Sequence, residues 1–289
     1  MISKNEVIEK FNSVTKFKNV IETYEEIAAS RMQNARSSVL QRRDFIMELN
    51  EMFQQIKTSY KEEIERLMKK RKIKDHKKLT FIERNGKTLF VLLSSNTGLY
   101  GDIIRQSFDL FVELIKKESC DTIIIGKVGL DHFKNANLKI PYAYFDFPDS
   151  KMDNEKLKDI VRHIIEYERT FIVYGQFQNI ITQKPIVTSI SGDPLPQEMK
   201  GPKVKYLFEP SLEKIMAFFE AEIFSSIFEQ TIFESQLAKF ASRMTSLEIR
   251  VEKIKELLKQ IDIEKQKIKH RIMNKKQLDV LSSISLWSS

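Results

Sequence analysis

The stretch Leu237–Ile272, LAKFASRMTSLEIRVEKIKELLKQIDIEKQKIKHRI, decides the fold. Its residues Leu237, Phe240, Met244, Leu247, Val251, Ile254, Leu258, Ile261, Lys265, Ile268 and Ile272 follow a 3,4 spacing without a slip, and only Lys265 is not apolar. Such a repeat is a heptad seam, which needs a second helix to cover it. A partner stretch lies at the other end of the chain. There Val7, Phe11, Val14, Phe17, Ile21, Tyr24 and Ala28 run on a similar spacing, and Met32, Ala35, Val39, Arg42, Ile46, Leu49, Phe53, Ile56 and Tyr60 continue it after a shift.

Every glycine and every proline lies between Gly86 and Pro210. The flanks therefore lack the residues that most strongly interrupt a helix. Helical stretches of this size reach roughly 90–110 Å at the usual rise per residue. They cannot bury their stripes on one small domain, so the expected fold is α/β: a long antiparallel coiled coil flanking a central Rossmann-like domain. The expected division is 1–80 for the N-terminal coil helix, 86–205 for the α/β domain and 210–289 for the C-terminal coil helix.

The middle alternates strand and helix. The apolar runs 89–93, 122–125, 142–145 and 170–174 read as strands, with helices over about 102–118, 127–134 and 152–167. Alternation of this kind predicts a parallel sheet. The Thr- and Ile-bearing segment 176–190 suits a hairpin or edge excursion.

The chain of 289 residues is 42% hydrophobic and 30% charged, with net charge +8. One cysteine, Cys120, excludes an intrachain disulfide framework. No apolar run reaches the roughly 20 residues that span a bilayer, so no direct membrane insertion is expected. Basic residues cluster at 66–78 and again at 265–276, but no nucleic-acid-binding module accompanies them, so no nucleic acid is expected as partner. The loop Ser94–Gly101 follows a strand, as phosphate loops do. It lacks the three-glycine fingerprint and the Lys-Ser/Thr of a P-loop. His76, His132, His163 and His270 show no metal-ligand spacing. No catalytic residue, metal or cofactor is expected, and isolated ATP binding is not either.

Three segments converge on a family. Tyr24-Glu25-Glu26-Ile27-Ala28-Ala29-Ser30-Arg31-Met32-Gln33-Asn34-Ala35 resembles the stretch in the first helix of the γ subunit of F-type ATP synthases. Ser95-Asn96-Thr97-Gly98-Leu99-Tyr100-Gly101-Asp102 resembles that family's loop after the first strand. Glu234-Ser235-Gln236-Leu237-Ala238-Lys239-Phe240-Ala241-Ser242-Arg243-Met244-Thr245 resembles its last helix, preceded by Phe208-Glu209-Pro210-Ser211.

The resemblance implies a central rotor that couples ion flow through a membrane ring to ATP synthesis or hydrolysis, at the cytoplasmic face of a bacterial membrane. Its implied partners are the α and β subunits of a hexamer, an ε subunit and the membrane c-ring. It also implies hexamer contacts at Tyr24, Ile27, Ala28, Ser30, Arg31, Met32, Glu234, Ser235, Arg243, Met244, Thr245, Leu281, Ile284 and Leu286. Foot contacts fall at Gly98, Leu99, Tyr100 and Gly101. The chain departs from the family at Asn96-Thr97, Tyr100, Asp102 and Ser246–Glu252, which keeps a divergent F1-like ATPase rotor as a second reading. A coiled-coil scaffold or tether without a rotary partner is the reading from another class.

Overall fold

In the computed structural model of the protein, residues 4–60, 82, 84–190, 209 and 211–287 are described, the side chains of 57–59 and 283–287 excepted. The basic run 66–78, Phe208 and Pro210 lie outside the described residues. Elements follow the order α1 (Lys4–Ser59), β1 (Thr88–Leu93), α2 (Ile103–Ile115), β2 (Asp121–Ile125), α3 (Lys127–Asn135), β3 (Tyr142–Phe145), α4 (Asn154–Ile164), β4 (Arg169–Phe177), β5 (Gln183–Ile190) and α5 (Leu212–Trp287). The chain forms two compact units, one of Met1–Ala29 with Arg243–Ser289 and one of Ser30–Ser242.

The larger unit is built on a five-stranded sheet of order β3-β2-β1-β4-β5. The first four strands are parallel, and β5 pairs antiparallel with β4, from Thr170 opposite Ile190 to Phe177 opposite Gln183. The expected parallel sheet is thus present, and the excursion over 176–190 is the return strand of a hairpin. All six residues of β1 are buried, as a central strand covered on both faces requires.

Alternation along β1 divides the core in two. Leu89, Val91 and Leu93 face Leu157, Ile160 and Ile164 of α4 and Phe224, Phe228 and Ile232 of α5. Phe90 and Leu92 face Phe108, Phe111 and Ile115 of α2 together with Phe133 of α3. α4 starts where Asp153 accepts from the backbone of Glu155 and Lys156, both at 3.2 Å. This carboxylate satisfies two donors that the helix start leaves open.

Between 231 and 242 most of α5 is buried, because this part lies against the domain rather than against one partner helix. α1 runs antiparallel to it within the same unit. Phe53 and Ile56 pack on Met216 and Ile223, Arg42 pairs with Glu229, and the Arg31 guanidinium sits 5.9 Å from the Phe240 ring centroid.

The smaller unit is a helix pair. Ile21 packs on Leu247 and Val251, and the Lys265 ammonium lies over Phe11. Val7 and Lys4 line a groove with Ile268, Arg271 and Ile272. Rising numbers on one helix meet falling numbers on the other, so the pair is antiparallel.

One expectation is corrected. The inward residues of α1 are 7, 11, 14, 18, 21, 25, 28, 32, 35, 39, 42, 46, 49, 53 and 56, an unbroken alternation of four and three without any shift. Phe17 and Tyr24, expected in the seam, are 59% and 50% exposed, and Lys18 and Glu25 occupy the inward places. Both carry stems that can lie along an apolar surface while their charged ends reach water.

Candidate partner-binding surfaces

The outward turn of Phe17 and Tyr24 creates a second stripe. Phe17, Val20, Tyr24 and Ile27 recur at spacings of three, four and three on α1, and all four are exposed. Residues so spaced share a helix face. Ala28 lies buried beside this stripe at the seam. A stripe of large apolar side chains on the outer face of a helix already paired through its inner face is a candidate binding surface. Sequence reasoning selected Tyr24 and Ile27 of this group and missed Phe17 and Val20 as outward residues. The signal that finds them is that the 4,3 repeat continues unbroken only if 18 and 25 face inward.

The other residues expected at partner contacts divide by exposure. Ser30 and Arg31 face outward, with Arg31 resting on Phe240. Met32 packs inward on the cluster of Tyr100, Ile103, Ile104 and Phe240. Glu234 is half-buried and engaged within the domain. It accepts from the Tyr174 hydroxyl at 2.8 Å and from Gln230 Nε2 at 3.0 Å. Burial first and the Glu234 charge second hold the Tyr174 phenol well above its ordinary value, so it stays a donor. Ser235 is 2% exposed and turned into the domain. Arg243, Met244 and Thr245 are half-buried in the smaller unit. Leu281 is exposed, while the side chains of Ile284 and Leu286 lie outside the described residues.

The loop at the C-terminal end of β1 sits where phosphate-binding loops sit in parallel α/β sheets, but its donors are already used. Asn96 N and Thr97 N donate to the two carboxylate oxygens of Asp149 at 2.9 and 2.8 Å, and Thr97 Oγ1 donates to Asp149 Oδ2 at 2.8 Å. Asn96 Oδ1 accepts from Lys127 N, and its Nδ2 donates to Asp146 and to Phe147 O. From α5, Lys239 Nζ donates to Ser94 O at 2.9 Å and Ser242 Oγ to Tyr100 O at 2.8 Å. A carboxylate of the chain thus occupies the place of an anion, and a lysine and a serine of α5 close the loop from the other side. Gly126 is needed beneath it, since a Cβ there would come within 2.6 Å of Ser95 N at a φ of 103°.

Of the expected foot contacts, Tyr100 is buried against Phe240, with ring centroids 6.0 Å apart. Leu99 is exposed and has a φ of 67°, a left-handed conformation that a branched side chain adopts only at a cost. It is the apolar point of this loop that faces outward. Gly98 forms the bend before it, and Gly101 takes the left-handed turn into α2 at a φ of 61°. Asp102 pairs with Arg105 at 2.9 Å. Each position at which the sequence departs from the resembled loop therefore has a partner within the chain.

Among the described residues no group of three or more His, Cys, Asp and Glu side chains is placed to hold a metal ion, and no helix is long and apolar enough to cross a membrane.

Comparison with known proteins agrees with this layout. The sequence pattern of the ATP synthase family matches residues 3–281. The ATP synthase gamma chain of Desulforamulus reducens is 23% identical over 272 residues, covering 89% of each chain. That of Protochlamydia amoebophila is 19% identical over 293 residues, covering 98% of each. Among solved structures, a chain of the rotor of the Euglena gracilis mitochondrial ATP synthase superposes with a TM-score of 0.57 at 13% identity, covering 93% of this chain and 98% of that one. A chain of the central stalk and c-ring of the Tetrahymena thermophila enzyme gives 0.54 at 15% identity, covering 80% and 99%. At these identities the structural likeness speaks for the fold.

Proposed function

The chain belongs to the ATP synthase family, and from that premise we propose that it is the central-stalk rotor of a rotary ATP synthase, a subunit without a catalytic site of its own. Its partners are the α and β subunits of the hexamer, the ε subunit and the c-ring. The complex is peripheral to the membrane, and we place it at the cytoplasmic face of a bacterial membrane, where it couples proton flow to nucleotide chemistry.

The observation that carries this reading is the doubly apolar α1. Its inner stripe closes the helix pair, and its outer stripe of Phe17, Val20, Tyr24 and Ile27 is left for another subunit. An asymmetric rod with one such stripe presents a different face to each β subunit as it turns. Rotation then changes which nucleotide site is open, and nucleotide binding biases rotation in return. The α/β domain serves as the foot, with Leu99 at the outward corner of its loop. The departures at Asn96, Thr97 and Asp102 are met by contacts inside the chain.

Purification from the native cells tests the assignment. The chain should come with nucleotide-hydrolysing α and β subunits. Purification without them, under conditions that keep such complexes intact, would overturn it. In the reconstituted complex, replacing Phe17, Tyr24 and Ile27 together with Ser should lower ATPase activity or torque while the free chain melts as before. Loss of the fold in that variant would mean that the stripe is internal.

A further inference from the structure

Two hollows adjoin along α1. One, of about 310 Å³, is lined by Ser38, Gln41, Arg42, Phe45 and Phe233. The other, of about 90 Å³, shares Ser38 and Phe233 and continues to Arg31, Asn34, Ser150 and Met152. Together they make one furrow between α1 and α5, bordered at its Arg31 end by the segment after β3. From Arg31 to Phe45 the helical rise gives a length of about 21 Å, which is about six residues of extended chain.

The ionic balance of this furrow is incomplete. No carboxylate lines it. The acids near it in sequence are engaged elsewhere: Glu229 with Arg42, Glu234 with Tyr174 and Gln230, Asp149 with the loop after β1, and Asp153 with the start of α4. Arg42 is thereby neutralised, and Arg31 is not. The positions one turn away from Arg31 on α1 are Ile27, Ala28, Asn34 and Ala35, so the helix itself offers it no acid. Among the described residues its guanidinium pairs with no carboxylate and rests only on the Phe240 ring. A ring contact leaves the N–H donors open, and these hold a carboxylate best through two parallel bonds. At the other end Phe45 and Phe233 frame an apolar notch, with the Arg42 guanidinium 5.7 Å from the Phe45 ring centroid. Between the ends lie the side-chain amides of Asn34 and Gln41. Each supplies a donor and an acceptor, as the backbone of an extended chain requires.

We propose that the furrow docks a short extended segment of a partner subunit, with a carboxylate at Arg31 and an apolar side chain between Phe45 and Phe233. The proposal rests on the reading of the chain as a rotor and adds the kind of partner that sits here. The outer stripe of Phe17, Val20, Tyr24 and Ile27 is almost wholly apolar, and contacts of that kind have no fixed direction. Such a stripe suits subunits that the rotor moves past. Arg31, Asn34 and Gln41 bond in defined directions, and a subunit standing still would break those bonds at every step. The occupant of the furrow therefore belongs to a subunit that turns with the rotor.

A photo-crosslinking phenylalanine derivative placed at Gln41 in the assembled complex identifies the occupant. Mass spectrometry should find one acidic segment of one co-rotating subunit. Cross-links to α or β, or none, would overturn the furrow while leaving the rotor assignment standing; that assignment fails on a different result, purification without α and β. Affinity between the rotor chain and the cross-linked subunit is the second measurement. Arg31→Gln should weaken it about tenfold or more, as loss of a hydrogen-bonded charge pair does, and Arg31→Lys should lose less. Added salt should weaken the wild type more than Arg31→Gln. Affinity unchanged in a folded Arg31→Gln chain, or an equal salt response of the two, would overturn the proposal.

Discussion

The Lys265 ammonium lies 4.8 Å from the centroid of the Phe11 ring, which satisfies the one non-apolar residue of the C-terminal seam across the helix pair. The aromatic face attracts the cation, and the lysine stem covers the seam. Replacing Lys265 with Gln should therefore cost about 0.5–1 kcal/mol, measured by urea denaturation followed through helicity. Leu at this place should be tolerated, since it restores the heptad. An equal loss for both variants would mean that Lys265 acts elsewhere.

Arg42 is the corresponding exception in the larger unit, and its partner is the carboxylate of Glu229. Burial pushes the Glu229 carboxyl up, and the Arg42 guanidinium pulls it part of the way back. Replacing Arg42 with Met leaves that carboxylate buried and unpaired, at a cost of about 3–5 kcal/mol. Adding Glu229→Gln should recover much of the loss. Because the unpaired acid can take up a proton, the deficit of Arg42→Met should shrink as the pH falls into the carboxyl range. A deficit independent of pH, measured by denaturation at several pH values, would count against the pair.

Glu25 faces inward on α1, and its carboxyl is raised by partial burial first and then by Glu248, Glu22 and Glu26, against the opposing effect of Lys255. A carboxyl with a raised folded value gives a contribution that is fully present below its unfolded range and is lost as pH rises through the folded value. Glu25→Gln should thus stabilise the helix pair at neutral pH, and the gain should vanish in acid, where both states of the wild type are protonated. Melting curves across that range decide it, and a gain that grows toward acid would contradict the placement.

The sheet was legible because its strands are short apolar runs bounded by turn residues. Tyr142–Phe145 has the boundaries read from the sequence, and β1 differs by one residue. The heptad on α5 was legible for the same reason, since Leu247, Val251 and Ile261 are both apolar and buried. On α1 the same rule misled. Phe17 and Tyr24 are larger and more apolar than their neighbours Lys18 and Glu25, so a reading that follows size puts the exposed side chains into the seam. Periodicity alone cannot tell an inner stripe from an outer one when a helix carries both. Asp149 could not be found in this way, because its role depends on a contact with Asn96 and Thr97 about fifty positions away. Burial of Ser235 was hidden likewise, as it requires α5 to dock on the sheet as well as on α1.

The loop after β1 allows a final prediction, about nucleotide. Three donors converge on Asp149, namely Asn96 N, Thr97 N and Thr97 Oγ1, so the place that a phosphate would take is filled by the chain itself. Nor does a lysine followed by a hydroxyl residue stand behind the loop to hold a second phosphate and its magnesium ion. Calorimetry with Mg-ATP and the wild-type chain should register no binding, and micromolar affinity would defeat this account of the loop. Replacing Asp149 with Ala strands backbone donors beside a buried lysine, at a cost of about 1–3 kcal/mol, whereas Asn keeps one acceptor oxygen and should lose less. If the carboxylate merely decorated the surface, Ala and Asn would melt alike and close to wild type. If it masked a working nucleotide site, Asp149→Ala would gain ATP binding. The side chains of Asn96 and Lys239 and the backbone N–H of Lys127 tie this loop to the segment after β3, to α5 and to α3, so the expected result is a less stable loop and still no nucleotide.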